Sequence, residues 1–191
     1  MERTKLYGTI AGLLHYPDGS WRQRLEECEN SLRSEAPALL PLLADMQGRV
    51  AGLSVEEIQE LFTRVFDLNP VCTLEVGWHL FGEQYERGEF LVKMRGLMRH
   101  FELPEDTELP DHLTHVLEVL GEMGAESAQE FAAACVFPAL DKMSASFKGD
   151  ASAYESAIRL VVRSVESRYE RGEAPLPQPP ELHVIQEGGL A

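Results

Sequence analysis

Apolar residues recur along most of this chain at spacings of three and four, the signature of helices that bury one face. Leu6, Ile10, Leu13 and Leu14 predict a first helix that stops before the turn Tyr16-Pro17-Asp18-Gly19. Leu25, Cys28 and Leu32 predict a second. Leu39, Leu40, Leu43, Met46 and Val50 predict a third, ending between Gly48 and Gly52. The fourth has a complete start signal. Ser54 and Glu57 form a capping box, Leu53 and Ile58 stand in the staple positions, and Ile58, Leu61, Phe62, Val65 and Phe66 carry the apolar face to Asn69-Pro70. Leu74, Trp78, Phe81 and Tyr85 predict one further helix, with Trp78 and Phe81 read as core. Phe90, Met94, Leu97, Met98 and Phe101 predict another, broken at Leu103-Pro104. Pro110 and Asp111 suit the first turn of a helix whose apolar face is Leu113, Val116, Leu117 and Leu120. The pattern continues from Phe131 to Phe147, with Pro138 kinking or dividing it, and closes with Tyr154, Ile158, Val161, Val162, Val165 and Tyr169.

Sustained strand-like alternation is absent, and no fixed-period repeat occurs. The expected fold is all-α, a single-domain helical bundle over residues 1–172. From Glu173 the character changes: Pro175, Pro177, Pro179 and Pro180 interrupt any helix and Gly188-Gly189 follow, so residues 173–191 read as a flexible, extended tail with a short apolar element at Leu182, Val184 and Ile185.

Composition narrows the function classes. A chain of 191 residues with 44% hydrophobic and 26% charged positions has enough material for one ordinary core. Its 32 acidic against 17 basic residues, a net charge of −15, repel phosphate backbones and argue against a nucleic-acid partner. The same field attracts basic segments. No run approaches the ~20 apolar residues of a membrane span, and Met1-Glu2-Arg3-Thr4-Lys5 does not open a signal peptide. A cytoplasmic protein without membrane insertion is expected. Cys28, Cys72 and Cys135 are scattered, which argues against a disulfide framework and a cysteine-rich zinc site.

Searching for catalysis returns little. There is no phosphate-binding loop, dinucleotide fingerprint or nucleophile elbow. His79 with Glu83, and Asp111 with His112 and His115, have the residue types of a metal site, so a helical metal-dependent hydrolase is one alternative. A helical adaptor for an unrelated partner is another. The more economical reading is binding: Asp111 and His112 at a helix start can fix the orientation of a peptide at the mouth of an apolar groove. Gly82 reads as a close-packing position, and Glu83 with Arg87 as an i, i+4 surface ion pair.

Three segments occur in order: Phe66-Asp67; His79-Leu80-Phe81-Gly82-Glu83 with Arg87-Gly88; and Glu108-Leu109-Pro110-Asp111-His112-Leu113. Upstream stands Leu13-Leu14-His15-Tyr16-Pro17-Asp18. Over roughly residues 5 to 170, this set resembles the NarJ branch of the TorD/DmsD/NarJ chaperones, which mature molybdenum-containing oxidoreductases. The resemblance implies a system-specific chaperone rather than an enzyme, with no cofactor of its own. It would bind the N-terminal segment of an unfinished molybdoenzyme catalytic subunit, most directly the alpha subunit of respiratory nitrate reductase or a close relative. It would hold that client open for the molybdenum-cofactor delivery machinery before membrane docking. The resemblance assigns client-peptide binding to Asp111 and His112 first, then to Glu108, Leu109, Pro110, His79, Glu83, Phe66, Asp67 and Arg87. Replacing Asp111 and His112 together by Ala is then expected to weaken client binding while the helical fold persists.

Overall fold

The computed structural model describes residues 5–147 and 152–172. They form helices α1 (Leu6–Ala11), α2 (Trp21–Glu35), α3 (Leu40–Val50), α4 (Val55–Phe62), α5 (Val76–Phe81), α6 (Tyr85–His100), α7 (Leu113–Glu122), α8 (Ala125–Phe131), α9 (Phe137–Ser146) and α10 (Ala153–Glu166). Among these residues no strand occurs, only one isolated antiparallel bridge between Glu75 and His112. The all-α bundle is as expected. No described helix is long and apolar enough to cross a membrane. The expectation for residues 173–191 lies outside the described residues.

The periodic apolar positions supply the core. α10 packs along α3, α1 lies between α7 and α2, and α5 is held between α9 and α6. Phe62 and Phe66 meet Tyr154 of α10 edge-on, with ring centroids 5.5 and 5.0 Å away, so Phe66 is a buried core residue. Cys28, Cys72 and Cys135 are buried free thiols. Burial raises Cys28 and Cys135 to about 12, which keeps them protonated small hydrophobes.

Local chemistry explains some helix ends. The capping box is present: Ser54 N–H donates to Glu57 Oε2 at 2.8 Å, and Glu57 N–H donates to Ser54 Oγ at 3.2 Å. α6 ends with Glu102 at φ 56°, while Leu103 N–H bonds the Met98 carbonyl and Glu102 N–H bonds the Arg99 carbonyl. That pairing is a Schellman ending built on a glutamate, where glycine is usual.

Several boundaries differ from the periodicity: α1 ends at Ala11, before Leu13 and Leu14, and α10 at Glu166, before Tyr169. α4 widens into a π turn, Thr63–Asp67, in which Leu68 N–H reaches the Thr63 carbonyl. A second π turn, Ala132–Val136, leads into α9 with Pro138 in its first turn. Proline has no N–H and its ring clashes with the carbonyl four residues back, so the widened turn absorbs the division that Pro138 imposes. The face assigned to Leu74, Trp78, Phe81 and Tyr85 is not one helix. Gly82 takes φ 60°, ψ −132°, closed to residues with a side chain. It ends α5, and Tyr85 begins α6 pointing into solvent, 81% exposed.

Candidate functional site

The segment Glu108–His112 is not the first turn of α7. His112 is extended (φ −61°, ψ 140°) and is the N-cap, so the helix begins at Leu113. The residues before it run antiparallel beside the entry to α5: Val76 N–H donates to the Asp111 carbonyl and Leu113 N–H to the Leu74 carbonyl, both at 2.8 Å. Backbone pairing therefore outcompetes the helical turn that Pro110 and Asp111 would suit. Asp106 secures the loop from beneath. Its carboxylate accepts from Glu108 N–H at 2.8 Å, bonds His115 Nε2 at 3.0 Å and lies 3.9 Å from His15 Nδ1.

Asp111 is fully buried, and its Oδ2 accepts from Arg87 Nε at 3.1 Å. Its Oδ1 is buried without a hydrogen-bond partner. Burial raises the Asp111 pKa against the opposing pull of Arg87. Glu75 nearby is raised by burial and, further, by the charge of Asp111. Gly77 is what admits this carboxylate. A methyl group there would lie 2.6 Å from Asp111 Oδ2, 3.0 Å from a Phe90 ring carbon and 3.3 Å from Arg87 Cγ. Gly77→Ala is therefore expected to cost about 1–3 kcal/mol by overpacking, read as a lowered urea midpoint.

His112 is also buried. Its Nδ1 accepts from Thr114 N–H at 3.4 Å and contacts Thr114 Oγ1 at 2.7 Å, which assigns the proton to Nε2. Burial, then the neighbouring His115 and His15, lower its pKa to about 3. His115 differs. Burial disfavours its charge, but Glu118 and Asp106 outweigh burial and raise its pKa.

Arg87 joins this buried corner to the surface. The carboxylate of Asp111 holds its guanidinium, which lies 5.5 Å from the centroid of the Trp78 ring. The Trp78 indole N–H donates to the Pro70 carbonyl at 3.2 Å. Trp78 is half-buried and forms one wall of an open groove of about 510 Å³, together with Pro70, Val71, His79, Lys142 and Ala145. Lys142 donates to the His79 carbonyl, tying α9 to α5, and His79 Nε2 bonds the Thr73 carbonyl at 2.7 Å. Burial lowers the His79 pKa, so this ring is neutral at neutral pH.

The motif residues thus divide. Phe66 is packed in the core against Phe62 and Tyr154, while His79, Arg87, Pro110, Asp111 and His112 lie in or just beneath the surface and shape it. Asp67, Glu83, Glu108 and Leu109 are exposed. Glu83 lies in the turn between α5 and α6, so the i, i+4 reading with Arg87 does not apply, and Arg87 pairs with Asp111 instead. Gly82 serves its backbone angle, and Gly77 is the close-packing glycine. Among the described residues, no group of three or more His, Cys, Asp or Glu could hold a metal ion, so the metal set drawn from the sequence is not brought together. Sequence reasoning missed Asp106, Gly77 and Lys142. It also read Trp78 as core, because helical spacing cannot separate a buried ring from one lying in a groove wall.

Comparison with known proteins agrees with these segments. The nitrate reductase delta subunit family profile matches residues 29–157. The chain is 28% identical over 138 residues to the probable nitrate reductase molybdenum cofactor assembly chaperone NarJ of Bacillus subtilis (strain 168), covering 67% of this chain and 71% of that protein. It is also 28% identical over 129 residues to the nitrate reductase molybdenum cofactor assembly chaperone NarJ of Escherichia coli (strain K12), covering 63% of this chain and 53% of that protein. The profile spans every residue in the run from Phe66 through Trp78 and Arg87 to His112, and on that match the chain belongs to the nitrate reductase delta subunit family.

Proposed function

We propose that this protein is an assembly chaperone for a molybdoenzyme, and that it binds the N-terminal segment of the cofactor-free catalytic subunit. The catalytic subunit of respiratory nitrate reductase or a near relative is the client class, held ready for the cofactor-delivery machinery in the cytoplasm. The observation that carries this reading is the family match across the whole Phe66–His112 region.

The groove between α5 and α9 suits such a segment. Trp78, Val71 and Pro70 supply apolar surface, and Val71 is 64% exposed with nothing to cover it among the described residues. Glu83, Glu108 and Asp67 are exposed acids of the same motif segments, and the net charge of −15 draws a basic client in. Asp111, His112, Arg87 and His79 are positioning residues that fix Trp78 and the Glu108–His112 loop without touching the client, while Phe66 fills the core. This revises the expectation for the double Ala variant, which should lose stability along with binding because both side chains are buried.

The test is a calorimetric titration of the full chain with synthetic peptides copying the N-terminal segments of its host's molybdoenzyme catalytic subunits. One class of peptide is expected to bind. Val71→Glu, on an exposed site, should weaken that binding tenfold or more, equivalent to about 1.4 kcal/mol, with the helical circular dichroism unchanged. Equal affinity for wild type and V71E would remove the groove as the binding site.

A further inference from the structure

The outer face of α6 carries apolar residues and charges in an order that matches its own reverse. Phe90, Met94 and Met98 bury the inner face of this helix. On the opposite side Tyr85 and Val92 are large apolar residues left 81% and 73% exposed. Glu89, Arg95 and Arg99 are exposed with them, as are Gly88 and Gly96. At about 100° per residue these positions fall within one arc of roughly 120° centred on Val92.

Counting outward from Val92, Glu89 and Arg95 stand three residues away on either side, Gly88 and Gly96 four, and Tyr85 and Arg99 seven. Laid antiparallel across a copy of itself with Val92 at the crossing, α6 therefore sets Glu89 level with Arg95 of the other copy. It likewise sets Gly88 level with Gly96, and Tyr85 level with Arg99. Every such pair occurs twice, as a two-fold interface requires. A parallel pairing would instead oppose Glu89 to Glu89 and Arg95 to Arg95.

Charge favours the antiparallel order. Arg95 and Arg99 lie 3.3 and 3.1 Å from one shared carboxylate, that of Glu105, so the end of α6 keeps a positive excess. Glu86 and Glu89 make its start acidic. An arginine over a tyrosine ring adds a cation–π contact. The two glycines favour close approach. A Cβ at Gly88 or Gly96 would meet nothing within the chain, so the chain's own packing does not call for glycine there, although glycine weakens a helix relative to alanine. Bare backbone at both positions lets a second helix come nearer than the usual ~8–10 Å between axes. The net charge of −15 opposes association at long range, and physiological salt screens that repulsion beyond about 8 Å.

We propose that two copies of this chain associate antiparallel through the outer faces of α6, with Val92 at the two-fold axis, Tyr85 of each copy against Arg99 of the other, and Glu89 against Arg95. One helix per copy is a small contact, so the dimer is weak and reversible. The proposal does not rest on the chaperone reading.

Sedimentation equilibrium of the full chain at physiological salt, from micromolar to millimolar protein, tests it. The apparent mass is expected to climb from one chain toward two. Glu89→Arg and Arg95→Glu each place like charges together twice, and each should weaken the dimer about tenfold or more. The double variant E89R/R95E should recover it. Gly88→Leu should abolish the dimer without lowering the melting temperature, because its added atoms meet nothing in their own chain. A monomer at every concentration would overturn the proposal. A dimer indifferent to G88L, or one that the double variant fails to recover, would also overturn it by giving the association to another surface or another register.

Discussion

Replacing Arg87 by Met should lower the melting temperature by about 10 °C. Asp111 is fully buried and the Arg87 side chain is 21% exposed, so the substitution leaves an uncompensated carboxylate inside the bundle. Breaking such a pair from one side costs about 3–5 kcal/mol; the partial exposure of Arg87 places this case near the lower figure. At ~2–4 °C per kcal/mol for a chain of this size, a shift of that order results. Asp111→Asn in the Arg87→Met background should recover part of the loss, because the amide removes the stranded charge. A double-mutant cycle read by thermal melts isolates the pair. A melting point within about 1 °C of wild type in R87M would mean that Asp111 is neutral or satisfied by another group.

The stranded charge also gives the variant a pH signature. The folded pKa of Asp111 is raised by burial. A raised folded pKa means the contribution is fully present below the unfolded value of about 3.9 and is lost as pH rises through the folded pKa. Removing Arg87 takes away the opposing pull, so R87M should be relatively more destabilised at neutral pH than in acid.

Acid should destabilise the wild-type protein through His112. Its pKa falls from 6.5 to about 3 on folding, because burial and two neighbouring imidazoles disfavour its charge. A depressed histidine contributes stability that is fully present above the unfolded pKa and is lost as pH falls toward the folded one. The window is thus from 6.5 down to about 3, and the full contribution is on the order of 5 kcal/mol, with roughly 2 kcal/mol gone by about pH 5. Protonating Nδ1 also removes the cap on α7, since that nitrogen accepts the Thr114 N–H. His15 and His79 are lowered as well and act in the same direction. His115 is raised, so its contribution is present at low pH and is lost as pH rises through its folded pKa; it offsets part of the slope. Urea unfolding of wild type and His112→Asn at about pH 7.5 and about pH 5 measures the effect. Asn keeps an N-cap but cannot titrate, so its stability should change much less between the two. Parallel slopes would acquit His112.

The helices were legible because each buries a face that repeats at helical spacing, and the capping box at Ser54 and Glu57 marked a start to the residue. The widened turns after Phe62 and Phe131 were not legible, since a π turn is a local hydrogen-bond shift that leaves the apolar pattern almost intact. Pro138 alone hinted at the second. The site was half legible. The ordered motif segments drew attention to Arg87, Asp111 and His112, but sequence cannot tell a residue that touches a ligand from one that builds the wall behind it. The bridge between Glu75 and His112, which goes with the burial of Asp111 and His112, joins segments far apart in the chain. Asp106 went unnoticed because one acid among 32 carries no signal until its partners His15 and His115 arrive from other elements.

The central claim is that this chain holds a cofactor-free molybdoenzyme subunit. The most direct measurement is affinity capture of the full-length protein from its own host grown under anaerobic respiration, with bound proteins identified by mass spectrometry and their molybdenum measured. The expected capture is one molybdoenzyme catalytic subunit, poor in molybdenum, that is lost when Val71 is replaced by Glu. Capture without any molybdoenzyme subunit under several respiratory conditions, or capture of the finished enzyme alone, would contradict it.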